Sequence, residues 1–124
     1  MIKNLGEILL AAAALVERNG YFEGDFYPNA CSVSNATWPF SERPFSSYGA
    51  IRMAAGDGER LARDEDAAEA LLFAAWRLSD WSVIRDVVDA DWALQAWEDE
   101  AHLDAAAVVA ALRTLAAEAV AVSA

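Results

Sequence analysis

Residues 4–20 read NLGEILLAAAALVERNG, and this stretch contains the beginning, the body and the end of one helix. Asn4 followed three residues later by Glu7 forms a capping-box pattern, and Gly20 is the residue type that often ends a helix. Between these signals, apolar residues recur at helical spacing. The residues of that apolar face are Leu5, Ile8, Leu9, Ala12, Leu15 and Val16. The stretch therefore predicts an amphipathic helix that packs against a core.

Composition extends this helical character to the whole chain. The sequence has 124 residues, 56% of them hydrophobic, and it contains 29 alanines. That length and apolar fraction are enough to close one core, and alanine favours helix over strand while allowing helices to approach closely. We therefore predict that residues 1–124 form a single all-α domain, which is a compact bundle of about five to six helices.

Capping residues and apolar spacing also locate the second and third helices. A second helix is predicted over residues 41–56, with Pro44 tolerated in its first turn. A third is predicted to begin at a cap provided by Asp64 or Asp66 and to end near Leu78. The stripe of this third helix that we expect to be buried is Leu71, Leu72, Ala75 and Trp76.

The C-terminal part of the chain is predicted to hold three further helical segments. A short helix is expected over residues 81–88, another from an Asp91 cap to Glu98, and a last one after an Asp104 cap. The apolar stripe of the last helix is Val108, Leu112, Leu115, Ala119 and Val122. We interpret this stripe as a seam, either of the core or of a homo-oligomer that forms through the C-terminal helix.

Residues 21–40 lack a helical period and contain six aromatic residues. These are Tyr21, Phe22, Phe26, Tyr27, Trp38 and Phe40. Because Gly24, Pro28 and Pro39 interrupt the segment, we predict an ordered loop, with a short hairpin as an alternative. So many aromatic side chains are unfavourable in water, so the loop is expected either to plug the bundle or to form a contact surface.

The acidic charge is concentrated in the middle of the chain. Between Asp57 and Asp104 there are fourteen carboxylates and four arginines, and the net charge of the whole chain is -11. Phosphate backbones and anionic lipids both require clustered Lys and Arg, so we expect no direct nucleic acid and no membrane partner. Arg113 and Glu118 would lie within hydrocarbon if the last helix crossed a bilayer, which favours a packed helix instead.

The cysteine count and the N-terminal sequence favour the cytoplasm. Cys31 is the only cysteine, so an internal disulfide cannot form, and this fits a reducing compartment. Glu7 interrupts the region where a signal peptide would carry its apolar run. We therefore expect a cytoplasmic protein.

Residue types that usually carry chemistry are scarce. Cys31 and His102 are the only cysteine and the only histidine, and no glycine-rich phosphate loop or paired-cysteine motif is present. Glu98 and His102 would share a helix face, but two ligands do not make a metal site. Carboxylates between residues 89 and 99 would support acid-base catalysis only if the fold brought them together. We expect no catalytic residues, no metal and no cofactor.

Three stretches of the sequence resemble a known family. They are residues 14–21 with the following Gly24, residues 48–56, and residues 94–99 with Asp104 opening the next helix. In these motifs the chain is similar to a family of small uncharacterised helical proteins of actinobacteria and their phages, known only as a domain of unknown function. The resemblance implies a compact helical domain and a phage origin, and it implies no reaction.

The chain departs from the family motifs at two places. Ser46 and Ser47 stand where the relatives tend to place a cysteine, and Glu98 stands where they usually have asparagine. Any role that the family has for those polar atoms is therefore not carried over to this chain.

Four tryptophans lie close together in the acidic part of the chain. Trp76, Trp81, Trp92 and Trp97 are interleaved with aspartates. Core packing is the ordinary explanation for such residues, but protein interfaces are also enriched in tryptophan and draw much of their energy from it. The residues that we predict to form a partner-binding surface are Trp81, Asp86, Asp89, Asp91 and Trp92.

These observations predict a non-enzymatic phage or actinobacterial accessory protein that binds another protein. Its acidic, Trp-bearing surface would inhibit a basic host protein, with carboxylates that either mimic nucleic acid or serve only for solubility. One alternative is a small enzyme or ligand-binding domain with a pocket between the aromatic loop and the helix that contains Trp97. Another is a virion or self-assembling component built through the last helix.

Overall fold

The protein folds as an all-α bundle. We describe it from a computed structural model, in which residues 4–23, 26, 42–56 and 61–123 are described. The helices in those residues are α1 (Leu5–Asn19), α2 (Ser47–Ala55), α3 (Asp64–Leu78), α4 (Val87–Ala101) and α5 (Ala105–Ser123). The prediction of an all-α bundle of about five to six helices is confirmed. The hairpin proposed for the aromatic loop lies outside the described residues.

The first helix has the boundaries that its sequence predicts. The Asn4 side chain accepts a hydrogen bond from the Glu7 backbone N–H at 2.8 Å and donates one to the Glu7 carboxylate at 2.7 Å. At the other end, Gly20 has a φ of 100° and its N–H donates to the Val16 carbonyl. The buried face of α1 packs mainly against α5 and α2.

The second helix begins later than predicted, at Ser47 rather than near Ser41. Its N-cap is Ser46, whose hydroxyl accepts a hydrogen bond from the Gly49 N–H at 3.0 Å. The preceding backbone is extended because Phe45 pairs with Tyr21 in an isolated parallel bridge. Pro44 therefore precedes the helix, and the prediction that placed it in the first helical turn is wrong.

The boundaries of the third and fourth helices also differ from the prediction. Asp64 is the first residue of α3, and the cap position is held by Arg63, which makes no side-chain capping bond. Residues 79–86 are irregular, so the short helix predicted over 81–88 is absent. The fourth helix is one 15-residue helix capped by Asp86, whose carboxylate accepts from the Asp89 N–H at 3.0 Å. Asp91 therefore lies inside α4 and is not its cap.

The predicted buried stripe of α3 is half correct. Leu71 and Ala75 are buried, but Leu72 is only partly buried and 52% of Trp76 is exposed. The buried face instead consists of Ala67, Ala70, Leu71, Ala74 and Ala75. The four alanines of this face allow α3 to lie close to α4, against which it packs most extensively.

The last helix is capped as predicted, because Asp104 accepts a hydrogen bond from the Ala107 N–H at 2.8 Å. The apolar residues Val108, Leu112, Leu115 and Ala119 are buried. Since α5 packs mainly on α1, this part of the stripe is a seam within the chain. Within residues 4–23, 26, 42–56 and 61–123, no helix combines the length and apolar character needed to cross a bilayer.

The close approach of Gly49 in α2 to the backbone of Phe26 generates a test of how tightly these two segments pack. A Cβ atom at this position would collide with the backbone carbonyl group of Phe26, which cannot rotate away as a flexible side chain could. We predict that Gly49→Ala lowers the free energy of unfolding by about 1–3 kcal/mol in urea denaturation. Gly6→Ala is the matched control, because its Cβ would make only ordinary contacts at 3.4 Å or more. The control is expected to be neutral or slightly stabilising, and equal losses in both variants would contradict the prediction.

Candidate functional site

Large apolar side chains are exposed around the connection between α3 and α4. We call the exposed large apolar side chains between residues 76 and 92 the Trp surface, and its members are Trp76, Trp81, Val83, Val88 and Trp92. The exposed fractions are 52% for Trp76, 37% for Trp81 and 58% for Trp92. Val88 and Trp92 are four residues apart on α4 and therefore lie on one helix face. By contrast, Trp97 is partly buried and packs against the core.

The aspartates predicted to accompany these tryptophans have different environments. Asp86 is exposed at the first turn of α4, and Asp80 is exposed in the connection before it. The Asp89 side chain is only 16% exposed, and its carboxylate accepts a hydrogen bond from Arg85 Nε at 2.9 Å. This interaction with Arg85 lowers the pKa of Asp89. Asp86 and Asp89 thus meet at the start of α4, but much of the Asp89 charge is balanced by Arg85.

Asp91 faces the interior of the bundle. Arg52 Nη2 donates to one oxygen of its carboxylate at 2.8 Å, and Arg52 Nε donates to the other at 3.4 Å. Burial raises the pKa of Asp91, although Arg52 opposes this effect. Asp91 is therefore a partner of a buried arginine and not part of the Trp surface.

Arg52 connects three segments around α2. Only 6% of this residue is exposed, and its Nη1 donates to Asp64 of α3 at 2.8 Å while the rest of the guanidinium pairs with Asp91 of α4. The guanidinium carbon also lies 5.2 Å from the centroid of the Phe26 ring, a cation-π distance. A buried cation with these partners restricts how α2 and α4 can be arranged.

Glu98 is the other acidic residue of α4 that lies inside the fold. Only 1% of it is exposed. Its Oε2 accepts a hydrogen bond from the Ser47 hydroxyl at 2.7 Å, and its Oε1 accepts one from the Ser47 N–H at 3.4 Å. The Tyr21 hydroxyl interacts with the Glu98 carboxyl electrostatically, but it is buried without a hydrogen bond of standard geometry. We call Tyr21, Ser47 and Glu98 the buried polar cluster.

Burial raises the pKa of Glu98 to about 7, and the nearby Asp99 carboxylate adds to this effect. Interactions with Tyr21 and Ser47 act in the opposite direction. Burial likewise raises the pKa of Tyr21, and the Glu98 carboxyl raises it further.

Sequence reasoning did not identify Glu98 as a buried group, although a signal was present. Val87, Ala90 and Leu94 are buried on α4, and Glu98 continues their helical spacing. The predicted break of this helix at Asp91 hid that pattern. The predicted shared face of Glu98 and His102 does not form, because α4 ends at Ala101 and His102 has a left-handed backbone with φ 49°.

A second group of acids lies at the surface near the end of α4. Glu23 interacts with Asp99, and the hydrogen bond between these two carboxyl groups raises the pKa of Glu23. His102 opposes this shift. Among the described residues, no three or more His, Cys, Asp or Glu side chains are arranged to hold a metal ion.

The fold and these side chains define a small all-helical protein with exposed indoles and a buried polar cluster. Residues 3–118 match a family of unknown function, DUF6197, and the chain belongs to that family. Comparisons with curated proteins and with solved structures gave no match.

The ion pairs of Arg52 generate a test of which acids support the fold. The Asp91 side chain is 17% exposed, whereas the Asp64 side chain is 67% exposed, although both lie 2.8 Å from Arg52. We predict that Asp91→Asn lowers the free energy of unfolding by about 2–4 kcal/mol, because it leaves a buried guanidinium without its main partner. Asp64→Asn is expected to cost about 1 kcal/mol or less, as for other exposed pairs. Thermal and urea denaturation measure both, and a larger loss in Asp64→Asn would contradict the assignment.

Proposed function

We propose that this protein works by binding another protein, and that the Trp surface is its contact area. The observation that carries the proposal is the exposure of three indoles within residues 76–92. Single exposed apolar residues are ordinary on protein surfaces. A group that includes several tryptophans is unusual, because each indole offers a large area whose burial against a partner is favourable.

The charge around the Trp surface supports a basic partner. Asp80 and Asp86 are exposed there, and the ion pairs Arg85 with Asp89 and Arg77 with Glu118 largely balance the nearby arginines. The net charge of -11 extends the same negative field over the molecule. Such a field accelerates association with a positively charged protein and disfavours acidic partners.

The proposed role is that of a non-enzymatic accessory protein of a phage or an actinobacterium, where the partner would be a basic host protein. The motif resemblance in the sequence supports this setting. The exposed aspartates would steer the encounter, and the indoles would provide most of the binding energy. Whether the carboxylates also imitate a nucleic-acid backbone depends on which surface of the partner they contact.

The two alternative functions have less support. The pocket of the enzyme or ligand-binding alternative would lie beside the aromatic loop, most of which is outside the described residues, and the carboxyl-bearing residue Glu98 on α4 is 1% exposed. Self-assembly through the last helix would use its apolar stripe, but Val108, Leu112, Leu115 and Ala119 are buried within the chain. A protein-binding role needs only side chains that are already exposed.

The binding role is tested by capture from a nuclease-treated actinobacterial lysate, followed by affinity measurements with the purified captured protein. We predict that Trp92→Ala weakens binding at least about tenfold, because exposed tryptophans are common hot spots. Leu10→Ala is the matched control, since Leu10 is 53% exposed but lies on α1. Thermal unfolding of both variants verifies that the fold is retained.

The contribution of charge is measured with the same partner. Asp80→Asn combined with Asp86→Ser removes two exposed charges while a serine retains the helix cap, and Glu69→Gln combined with Glu100→Gln removes two exposed charges elsewhere. We predict slower association and weaker salt dependence for the first pair only. A partner whose affinity is insensitive to Trp92, or whose contact surface is acidic, would refute the proposal.

A further inference from the structure

The buried polar cluster joins the chain segments on either side of the aromatic loop. Tyr21 and Phe45 form the isolated bridge, in which the Phe22 N–H donates to the Phe45 carbonyl at 3.0 Å and the Phe45 N–H donates to the Gly20 carbonyl at 3.3 Å. The Tyr21 side chain approaches Glu98 from one side of this bridge. Ser47, two residues after Phe45, donates to Glu98 from the other side. The Glu98 carboxyl therefore lies near Tyr21, one partner of the bridge, and is bonded to Ser47, two residues after the other partner.

The environment of Glu98 favours a neutral carboxylic acid. An ionised carboxylate in a buried site needs several good donors or a nearby cation. Glu98 has one short hydrogen bond, from the Ser47 hydroxyl, and a long one from the Ser47 N–H. Among the described residues it forms no ion pair with Lys, Arg or His. A proton on the carboxyl removes the cost of the unpaired charge.

The charged and titratable groups around Glu98 do not replace the missing cation. Tyr21 faces it from the segment after α1, and Ser47 faces it from α2 without a charge. Asp99 on its own helix is negative, and Glu23 lies next to Asp99. His102 lowers the pKa of Glu23 at the surface, and it does not contribute to the pKa of Glu98. Burial, with a smaller contribution from Asp99, disfavours a negative charge at Glu98, and the interactions with Tyr21 and Ser47 offset this effect only in part.

We propose that protonation of Glu98 controls the pairing of residues 20–22 with Phe45, so that the neutral acid holds this bridge beside α4 and the carboxylate releases it. Release would let water reach the carboxylate, which can then be solvated. The same opening would separate Tyr21, the first residue of the aromatic loop, from Phe45. The protein thus contains a pH-dependent conformational device at the base of that loop.

The direction of the effect follows from the pKa of Glu98, which burial raises from an ordinary value of 4.5 to about 7. A group with a raised pKa in the closed state stabilises that state below its ordinary pKa. The stabilisation is lost as the pH rises through 7. Opening of the bridge should therefore increase between about pH 5 and pH 8, and the closed form should dominate in acid.

Amide hydrogen exchange and a carboxyl titration, both followed by NMR, test this proposal on the full chain. The Glu98 carboxyl carbon is expected to titrate near pH 7. Protection factors of the Phe22 and Phe45 amides, corrected for intrinsic exchange, should fall on the order of 100-fold between pH 5 and pH 8, because each pKa unit corresponds to a tenfold change. The Leu112 amide in α5 serves as an internal reference that should change much less.

Three variants separate the role of Glu98 from general effects of pH. Glu98→Gln imitates the neutral acid and should remove the pH dependence of the Phe22 and Phe45 amides. Glu100→Gln, at an exposed neighbouring acid, should retain it. Tyr21→Phe keeps the Glu98 carboxyl but removes a hydroxyl that lowers its pKa. The midpoint of the Glu98 titration should therefore move to higher pH in this variant.

The proposal is overturned by either of two results. One is a Glu98 midpoint close to that of an exposed glutamate. The other is a loss of protection at Phe22 and Phe45 that occurs in step with Leu112, because this would indicate global unfolding instead of local release. If Glu98→Gln does not fold, the titration of the unchanged protein and of Tyr21→Phe still decides between these outcomes. The carboxyl titration and the amide exchange are both measured without a binding partner, so their results do not depend on the proposed function.

Discussion

The bundle depends on the pairing of one buried arginine with an aspartate from a neighbouring helix. Arg52 is on α2, a short helix in which eight of the nine residues are buried, and its guanidinium contacts carboxylates of α3 and α4. A charge in this position would be costly without Asp91, so the pair restricts how α2 and α4 can be arranged. The acids of the middle segment consequently divide into two groups. Asp91 and Glu98 lie within the bundle, whereas Asp80 and Asp86 remain at the surface.

The sequence predicted the elements whose signals are local. The capping box at Asn4, the glycine that ends α1 and the Asp104 cap were all identifiable, because each depends on residues a few positions apart. The start of α2 could not be identified in this way, since it depends on the long-range pairing of Phe45 with Tyr21. The break predicted within α4 had a similar cause. Asp91 has the residue type of a cap, and only the position of Arg52 in the fold shows its different role.

The candidate site was predictable only in part for the same physical reason. The pattern of tryptophans indicated a possible interface, but exposure depends on the packing of α3 against α4 and on the irregular residues 79–86. Glu98 has an ordinary surface composition around it in sequence, yet it occupies the buried face of α4. One helix therefore combines an exposed face that carries Val88 and Trp92 with an inner face that carries the buried carboxyl group of Glu98. The proposed binding role belongs to the first face, and the proposed conformational device belongs to the second.

The most direct test of this division is a double-mutant cycle on the buried pair, with Arg52→Met, Asp91→Leu and the double variant compared by urea denaturation. If Arg52 and Asp91 organise the bundle as described, the single variants will each be strongly destabilised and the double variant will recover much of the loss, with a coupling of about 2 kcal/mol or more. Additive effects within about 0.5 kcal/mol would contradict the account, because they would show that the two residues do not depend on each other.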